Sequence, residues 1–346
     1  VIAINRINSV LKITFDGVTM MISISGIKVF TGSKKVLLNE LPVNKEIIEK
    51  SSNSLGMYKT YIEDKLTLRD MVVKVANDLL VEKAVDRQAI DVVIYTSGLN
   101  KDFTSWCGAA YIQKECKLSN AYGFDIYQGC NSSLQAVIQA NNILKANDYY
   151  NKVLVVGGDK VSKNVENCMI STILGGDGAY ALLVERSEEG FNIVNSISIT
   201  DGRFANFTYA LGGVESNITE EILLDKLNLY QVRDKNLGQY VEDACVDNFI
   251  STIKRLLEKN KLKSNEINYY VFPNTNKGLY LKILDNLNIP LDKGDFDNIK
   301  NYGHLGCTDF ALNIKKLCDS VKTGEKIVAS SMGVGLSWSS VLFSYL

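Results

Sequence analysis

The chain has 346 residues, enough for one large or two medium domains, with 46% hydrophobic residues, 22% charged residues and a formal net charge of -1. That charge balance excludes the strong positive field of a general nucleic-acid binder, so no nucleic-acid partner is expected. The longest largely apolar stretch, Val18–Val29, is too short to span a bilayer, so no membrane partner is expected either.

Residues 1–21 carry no clear cleavage signal and are read as an N-terminal extension, because Met20-Met21 followed by Ile-Ser-Ile-Ser-Gly-Ile would make a natural start. From residue 22 to 190 the pattern runs as follows. A helix over Leu68–Lys83, apolar at Met71, Val72, Val75 and Leu79, leads to a strand over Ile90–Tyr95 and a second helix near Trp106–Glu115. A strand ending at Tyr127 enters Gly129-Cys130, and a helix follows with Leu134, Val137, Ile138, Ile143 and Leu144 on its apolar face. Strands Val153–Val156 and Gly178–Val184 complete the half. Residues 191–346 repeat the series: helix Tyr240–Leu257, strand Asn268–Phe272, helix Lys277–Leu287, a helix from His304–Asp309 to Cys318, then strands Ile327–Ser330 and Ser340–Tyr345. Two α/β halves with helices alternating with short apolar strands predict a mostly parallel sheet covered by helices, stacked about a pseudo-twofold axis into layers. A ligand crevice belongs between the halves.

Cys130 and His304 hold equivalent places, each opening the third helix of its half. A thiol at a helix N-terminus is favoured as thiolate by the dipole and free N–H groups, and a thiolate can take an acyl group from a thioester. The alternative reading is an inert core cysteine. The seven cysteines (Cys107, Cys116, Cys130, Cys168, Cys245, Cys307, Cys318) are odd in number and scattered with no CxxC pair, which predicts reduced thiols and a cytoplasmic location. Only His304 and Cys307 lie near each other among possible metal ligands, so no metal is expected. No P-loop and no nicotinamide fingerprint is present, so no cofactor is expected.

Five segments in order resemble the thiolase superfamily, and within it the beta-ketoacyl-acyl-carrier-protein synthase III-like enzymes. Gln128-Gly129-Cys130-Asn131-Ser132-Ser133-Leu134-Gln135-Ala136 resembles the nucleophile segment, and Val153-Leu154-Val155-Val156-Gly157-Gly158-Asp159 the strand after it. Gly175-Gly176-Asp177-Gly178-Ala179 resembles the Gly-Asp-Gly-Ala turn, read as structural. Asn301-Tyr302-Gly303-His304 opens the segment that normally carries a catalytic Asn, and Gly333-Val334-Gly335-Leu336 resembles the turn of the oxyanion hole. The resemblance spans roughly residues 22–346 and implies a thiolase-like fold, two duplicated halves in α-β-α-β-α layers.

The chain departs from that family at two positions. In Phe272-Pro273-Asn274-Thr275-Asn276 the usual His is Asn274, and the usual later Asn is His304, the sole histidine of the chain. The expected catalytic set is therefore Cys130 as nucleophile, His304 as base, and Asn274 as donor. Asp309 is either an orienting carboxylate or an N-terminal helix charge, since i to i+5 spacing does not by itself join two side chains. The resemblance further implies an oxyanion contact from the Gly335 and Cys130 N–H groups, and Phe103 reaching a partner subunit's acyl pocket. Lys277 and Lys282 are either docking charges for an acidic carrier protein or plain solvated surface, with Lys254, Arg255, Lys259, Lys261 and Lys263 as a rival patch.

Three functions follow from these residues. One is acyl transfer from acyl-CoA or acyl-carrier protein to Cys130, then decarboxylative condensation with a malonyl thioester in fatty-acid or secondary-metabolite biosynthesis. The second passes the acyl group to a hydroxyl or amine. The third is a non-catalytic thiolase-fold partner subunit. A homodimer is expected.

Overall fold

A computed structural model describes residues 21–99, 102–103, 105–209, 231–232, 237 and 240–346. The proposed extension at residues 1–21 lies, but for Met21, outside the described residues. Nine strands form one continuous sheet. In chain order they are β1 (Ile22–Thr31), β2 (Val92–Thr96), β3 (Tyr122–Ile126), β4 (Lys152–Lys160), β5 (Asp177–Arg186), β6 (Phe191–Thr200), β7 (Tyr269–Val271), β8 (Lys326–Gly333) and β9 (Ser337–Tyr345). Their spatial order is β7-β8-β9-β6-β1-β5-β4-β2-β3. Outward from the β6–β1 seam, β6, β9, β8 and β7 on one side answer β1, β5, β4 and β2 on the other.

The expectation of a mostly parallel sheet needs correction. Only β2–β3, β2–β4 and β7–β8 are parallel, and the five other neighbouring pairs are antiparallel. Parallel neighbours need a helical crossover, and such crossovers serve only the outer strands. Towards the centre the connections carry no long helix: residues 187–190 join β5 to β6, and residues 334–336 turn β8 back onto β9.

Among the described residues six helices of eight or more residues cover the sheet: α1 (Leu68–Glu82), α2 (Gly108–Glu115), α3 (Ser132–Ala146), α4 (Val241–Lys259), α5 (Lys277–Asn286) and α6 (Asp309–Leu317). Three apolar clusters separate the layers. Met71, Val75 and Leu79 of α1 join Ile112 of α2 against Val93 and Leu154 on the outside of the first half. Phe249 and Ile253 of α4 join Tyr280 and Ile283 of α5 against Val328 and Trp338 on the outside of the second. Leu134, Val137 and Leu144 of α3 meet Phe310, Ile314 and Leu317 of α6 in the middle, with Val155 and Ala329 from opposite half-sheets. The layers are therefore helix, sheet, helix, sheet, helix.

Start signals explain the element boundaries. At α1 the Thr67 hydroxyl accepts the Asp70 N–H while the Asp70 carboxylate accepts the Thr67 N–H, a reciprocal cap. At α5 the Asn276 side chain accepts the Leu279 N–H. The central helices rely on packing instead. Neither α3 nor α6 has a side-chain cap bond at its first turn. A 15-residue helix is marginal alone in water. Each fully buried Leu or Ile on its inner face contributes about 1.5–3 kcal/mol, enough to fix the helix that presents Cys130.

Candidate active site

Between β3 and α3 the chain turns at Gly129, whose φ of +55° lies in the left-handed region. A Cβ there would also lie 2.5 Å from the backbone nitrogen of Val334, so this turn and the β8–β9 turn press together as bare backbone. The Ser132 hydroxyl ties the turn from inside: it accepts the Gln128 N–H at 2.7 Å and donates to the Gly129 carbonyl at 2.7 Å. The Ser331 hydroxyl donates to the Cys130 carbonyl at 3.2 Å. Cys130 is thus held by both halves, and it remains partly accessible.

His304 belongs to the loop before α6. Its backbone N–H donates to the Leu174 carbonyl at 2.9 Å, and its carbonyl accepts the Gly176 N–H at 2.9 Å. The first half therefore grips the histidine supplied by the second. Its Nε2 lies 3.0 Å from the Cys130 Sγ, and its Nδ1 lies 2.6 Å from Asp309 Oδ2.

Asp309 answers the question left open by spacing. A short 3-10 turn over Gly306–Thr308 carries the chain into α6, so its first residue folds back onto the imidazole. The same carboxylate accepts the Asn274 N–H at 2.7 Å and the Leu305 N–H at 2.7 Å. With backbone donors on both oxygens it stays an acceptor, which places the Nδ1 proton on His304 and directs Nε2 to sulfur. Burial opposes a charged imidazole, but the Cys130 sulfur and the Asp309 carboxylate outweigh it and hold His304 well above the usual histidine range.

That shift gives a direct test, since the only imidazole signals in the protein belong to His304. A raised folded-state value means the ring stays protonated above about 6.5, the ordinary histidine value. Its contribution to stability is complete below that pH and is lost as pH rises through the folded value. Ring chemical shifts followed against pH are expected to titrate above the free-histidine value, and Cys130→Ala is expected to lower that midpoint by removing the sulfur's charge. A wild-type midpoint at or below about 6.5 would contradict the ion-pair geometry.

Asn274 is almost fully buried (1% exposed). Its Oδ1 accepts from Asn313 Nδ2 at 3.0 Å, whereas its Nδ2 has no partner among the described residues. Gly335 has a φ of +103°, and a Cβ there would meet nothing within 4 Å, so this turn needs glycine for its backbone conformation rather than for space. Phe103 stands apart from the cluster. It is half-exposed, edge-on to Trp106 at 6.0 Å between centroids, with the Arg69 guanidinium 5.1 Å from its ring centre. Lys282 lies 3.7 Å from Glu242 and 3.8 Å from Asp243, which offsets its charge.

Sequence reasoning missed two supports of the site. Asp159 is fully buried at the end of β4 and accepts N–H groups of Gly98, Leu99 and Cys307 and the Ser97 hydroxyl at 2.7–3.1 Å. Burial pushes its carboxyl up in spite of those donors. It joins the loop after β2 to the loop that carries His304. Asn313 is the other; its signal was an asparagine on the apolar face of a helix, between Phe310 and Ile314.

The remaining thiols sit in different surroundings. Burial pushes Cys116 and Cys168 up to about 11 and Cys245 up to about 12. Among the described residues no group of three or more His, Cys, Asp and Glu side chains could hold a metal, and no helix is long and apolar enough to cross a membrane.

A thiol, an imidazole and a carboxylate thus stand in line where the two parts of the chain meet. Residues 124–202 match the family model described as 3-Oxoacyl-[acyl-carrier-protein (ACP)] synthase III, and residues 257–345 match the model of its C-terminal part. A relative from Prochlorococcus marinus (strain MIT 9215), beta-ketoacyl-[acyl-carrier-protein] synthase III, is 27% identical over 332 residues, 91% of this chain and 96% of that protein. The crystal structure of 3-oxoacyl-[acyl-carrier-protein] synthase III from Aquifex aeolicus VF5 superposes with a TM-score of 0.78 at 23% identity, covering 94% of this chain and all of that one. The priming beta-ketosynthase of the R1128 polyketide biosynthetic pathway gives 0.79 at 19% identity, covering 94% and 96%. The chain is similar, over most of its length, to beta-ketoacyl-acyl-carrier-protein synthase III.

Proposed function

We propose that this chain is a condensing acyltransferase that works in two half-reactions through Cys130. The observation that carries the reading is the line Cys130 Sγ, His304 Nε2, His304 Nδ1, Asp309 Oδ2, with contacts of 3.0 and 2.6 Å. In the first half-reaction the Cys130 thiolate attacks an acyl thioester carried by coenzyme A or a carrier protein. The N–H groups of Cys130 and Gly335 stabilise the tetrahedral oxyanion, and the carrier leaves as a thiolate that takes its proton from solvent, so His304 keeps both ring protons. In the second, a malonyl thioester loses carbon dioxide. The resulting enolate is stabilised by Asn274 Nδ2 and the His304 Nε2–H, its carbon attacks the acyl-Cys130 carbonyl, and a carbon–carbon bond replaces the carbon–sulfur bond.

A second reading rests on Asp309. A histidine with its Nδ1–H fixed on a carboxylate is a competent general base, and it would activate a hydroxyl or amine acceptor to give an ester or amide. The test takes enzyme, acyl-CoA and intact-mass detection of the adduct, then adds malonyl-carrier, alcohol or amine in separate reactions. Release of a 3-oxoacyl product supports condensation, and release of ester or amide alone overturns it. Failure to form any adduct would instead favour a non-catalytic partner subunit.

The division into halves at residues 22–190 and 191–346 is part of the same proposal, as is a cytoplasmic setting with no resident cofactor. So is a homodimer. Strand β3 pairs on one side only among the described strands, and Tyr122 on it is 62% exposed. An open edge is a template for pairing with a second copy, which would place Phe103 near the neighbour. Sedimentation is expected to give a dimer; a monomer independent of concentration would count against both points.

A further inference from the structure

The unpartnered Asn274 donor is set by two further asparagines. Asn313 Nδ2 donates to the Phe272 carbonyl at 2.8 Å and to Asn274 Oδ1 at 3.0 Å. Asn298 Nδ2 donates to Asn313 Oδ1 at 2.8 Å. All three side chains are more than nine-tenths buried. A backbone carbonyl only accepts, so Phe272 forces the amide of Asn313 to present nitrogen on that side. The second hydrogen of that nitrogen then faces Asn274 and can be met only by Oδ1. Asn298 meets the remaining oxygen of Asn313. The chain of bonds has one polarity, and it ends by occupying the Asn274 oxygen. The Asn274 backbone N–H is meanwhile fixed on the same Asp309 oxygen that holds His304. What remains is a buried donor, Nδ2, on the residue whose backbone shares the Asp309 carboxylate with His304.

We propose that Asn313, supported by Asn298, is a positioning residue that locks Asn274 as a donor only, for a carbonyl oxygen of the second substrate. The inference rests on the condensing reading above and refines it: the group received at Asn274 must be a hydrogen-bond acceptor, as the malonyl thioester carbonyl is. An asparagine free to rotate would present its oxygen part of the time, repelling that carbonyl. The first half-reaction makes no demand on this amide. Loss of Asn313 should therefore separate the two steps.

The experiment measures Cys130 acylation by intact mass, and then turnover of the isolated acyl-enzyme by malonyl-carrier. Asn313→Leu is expected to leave acylation within about twofold and to slow the second step about tenfold or more, the scale of a misoriented contact. Asn298→Leu, one bond further out, is expected to act in the same sense more weakly, and it serves where Asn313→Leu fails to fold. In an Asn274→Ala background either change should add nothing. Equal losses in both steps, additive losses in that background, or no loss at all would overturn the proposal. A wild-type acyl-enzyme that ignores malonyl-carrier would overturn the condensing reading itself, and with it this role; that result appears before any variant is made.

Discussion

Cys130→Ala is expected to abolish the covalent acyl adduct while the protein keeps its fold. The reason lies in how few thiols can act. Four of the other cysteines, Cys116, Cys168, Cys245 and Cys307, are buried. The two exposed ones, Cys107 and Cys318, have no imidazole available, because the single histidine lies 3.0 Å from Cys130. Removing one sulfur leaves the turn intact, since the Ser132 and Ser331 hydroxyls bond to backbone there. The apolar face of α3 is also unchanged. Incubation with acyl-CoA should therefore give no mass increase, with a thermal unfolding midpoint within a few degrees of wild type. An adduct accumulating at the wild-type rate would mean that another thiol is the nucleophile.

The helices were legible because their apolar residues repeat with helical period. Leu68–Glu82 and Lys277–Asn286 fall within a residue of the expected bounds. The two strands at the centre of the sheet, Ile22–Thr31 and Phe191–Thr200, were passed over. Both alternate apolar and polar residues, with Ser23 and Ser25 in one and Asn192, Ser196 and Ser198 in the other, and both carry a register shift that breaks the alternation, at Ile24/Gly26 and Ile193/Asn195. Without them the helix–strand alternation of the outer strands read as a mostly parallel sheet.

The site was legible where one residue sufficed. Cys130, His304 and Asn274 were named from their segments; the structure puts Cys130 Sγ 3.0 Å from His304 Nε2 and ties the Asn274 backbone N–H to the carboxylate that holds His304. What sequence could not give was the closure between them. Asp309 reaches His304 only because a 3-10 turn intervenes, and no spacing rule encodes that turn. Asn313 and Asp159 act by holding other groups from across the fold, through partners 39 and 148 residues away. Contacts of that range depend on tertiary packing rather than on local pattern.

The second large effect is expected at the histidine. His304→Asn removes the only ring able to take the Cys130 proton, and acyl transfer should fall about a hundredfold or more, a loss on the scale of general-base removal. The double change His304→Asn with Asn274→His restores the order usual in this family, and the geometry says what it can restore. Position 274 shares the Asp309 carboxylate with His304 through its backbone N–H, so the two positions are neighbours. An imidazole at 274 would accept from Asn313 on one nitrogen and keep an N–H on the other, supplying a donor but no carboxylate-held base. The double variant is therefore expected to regain part of its malonyl condensation and none of any ester or amide formation. Recovery of both activities would show that the Asp309 contact is dispensable to the base. An unchanged rate in His304→Asn alone would remove the histidine from the mechanism, leaving Cys130 to be activated by the N-terminus of its helix.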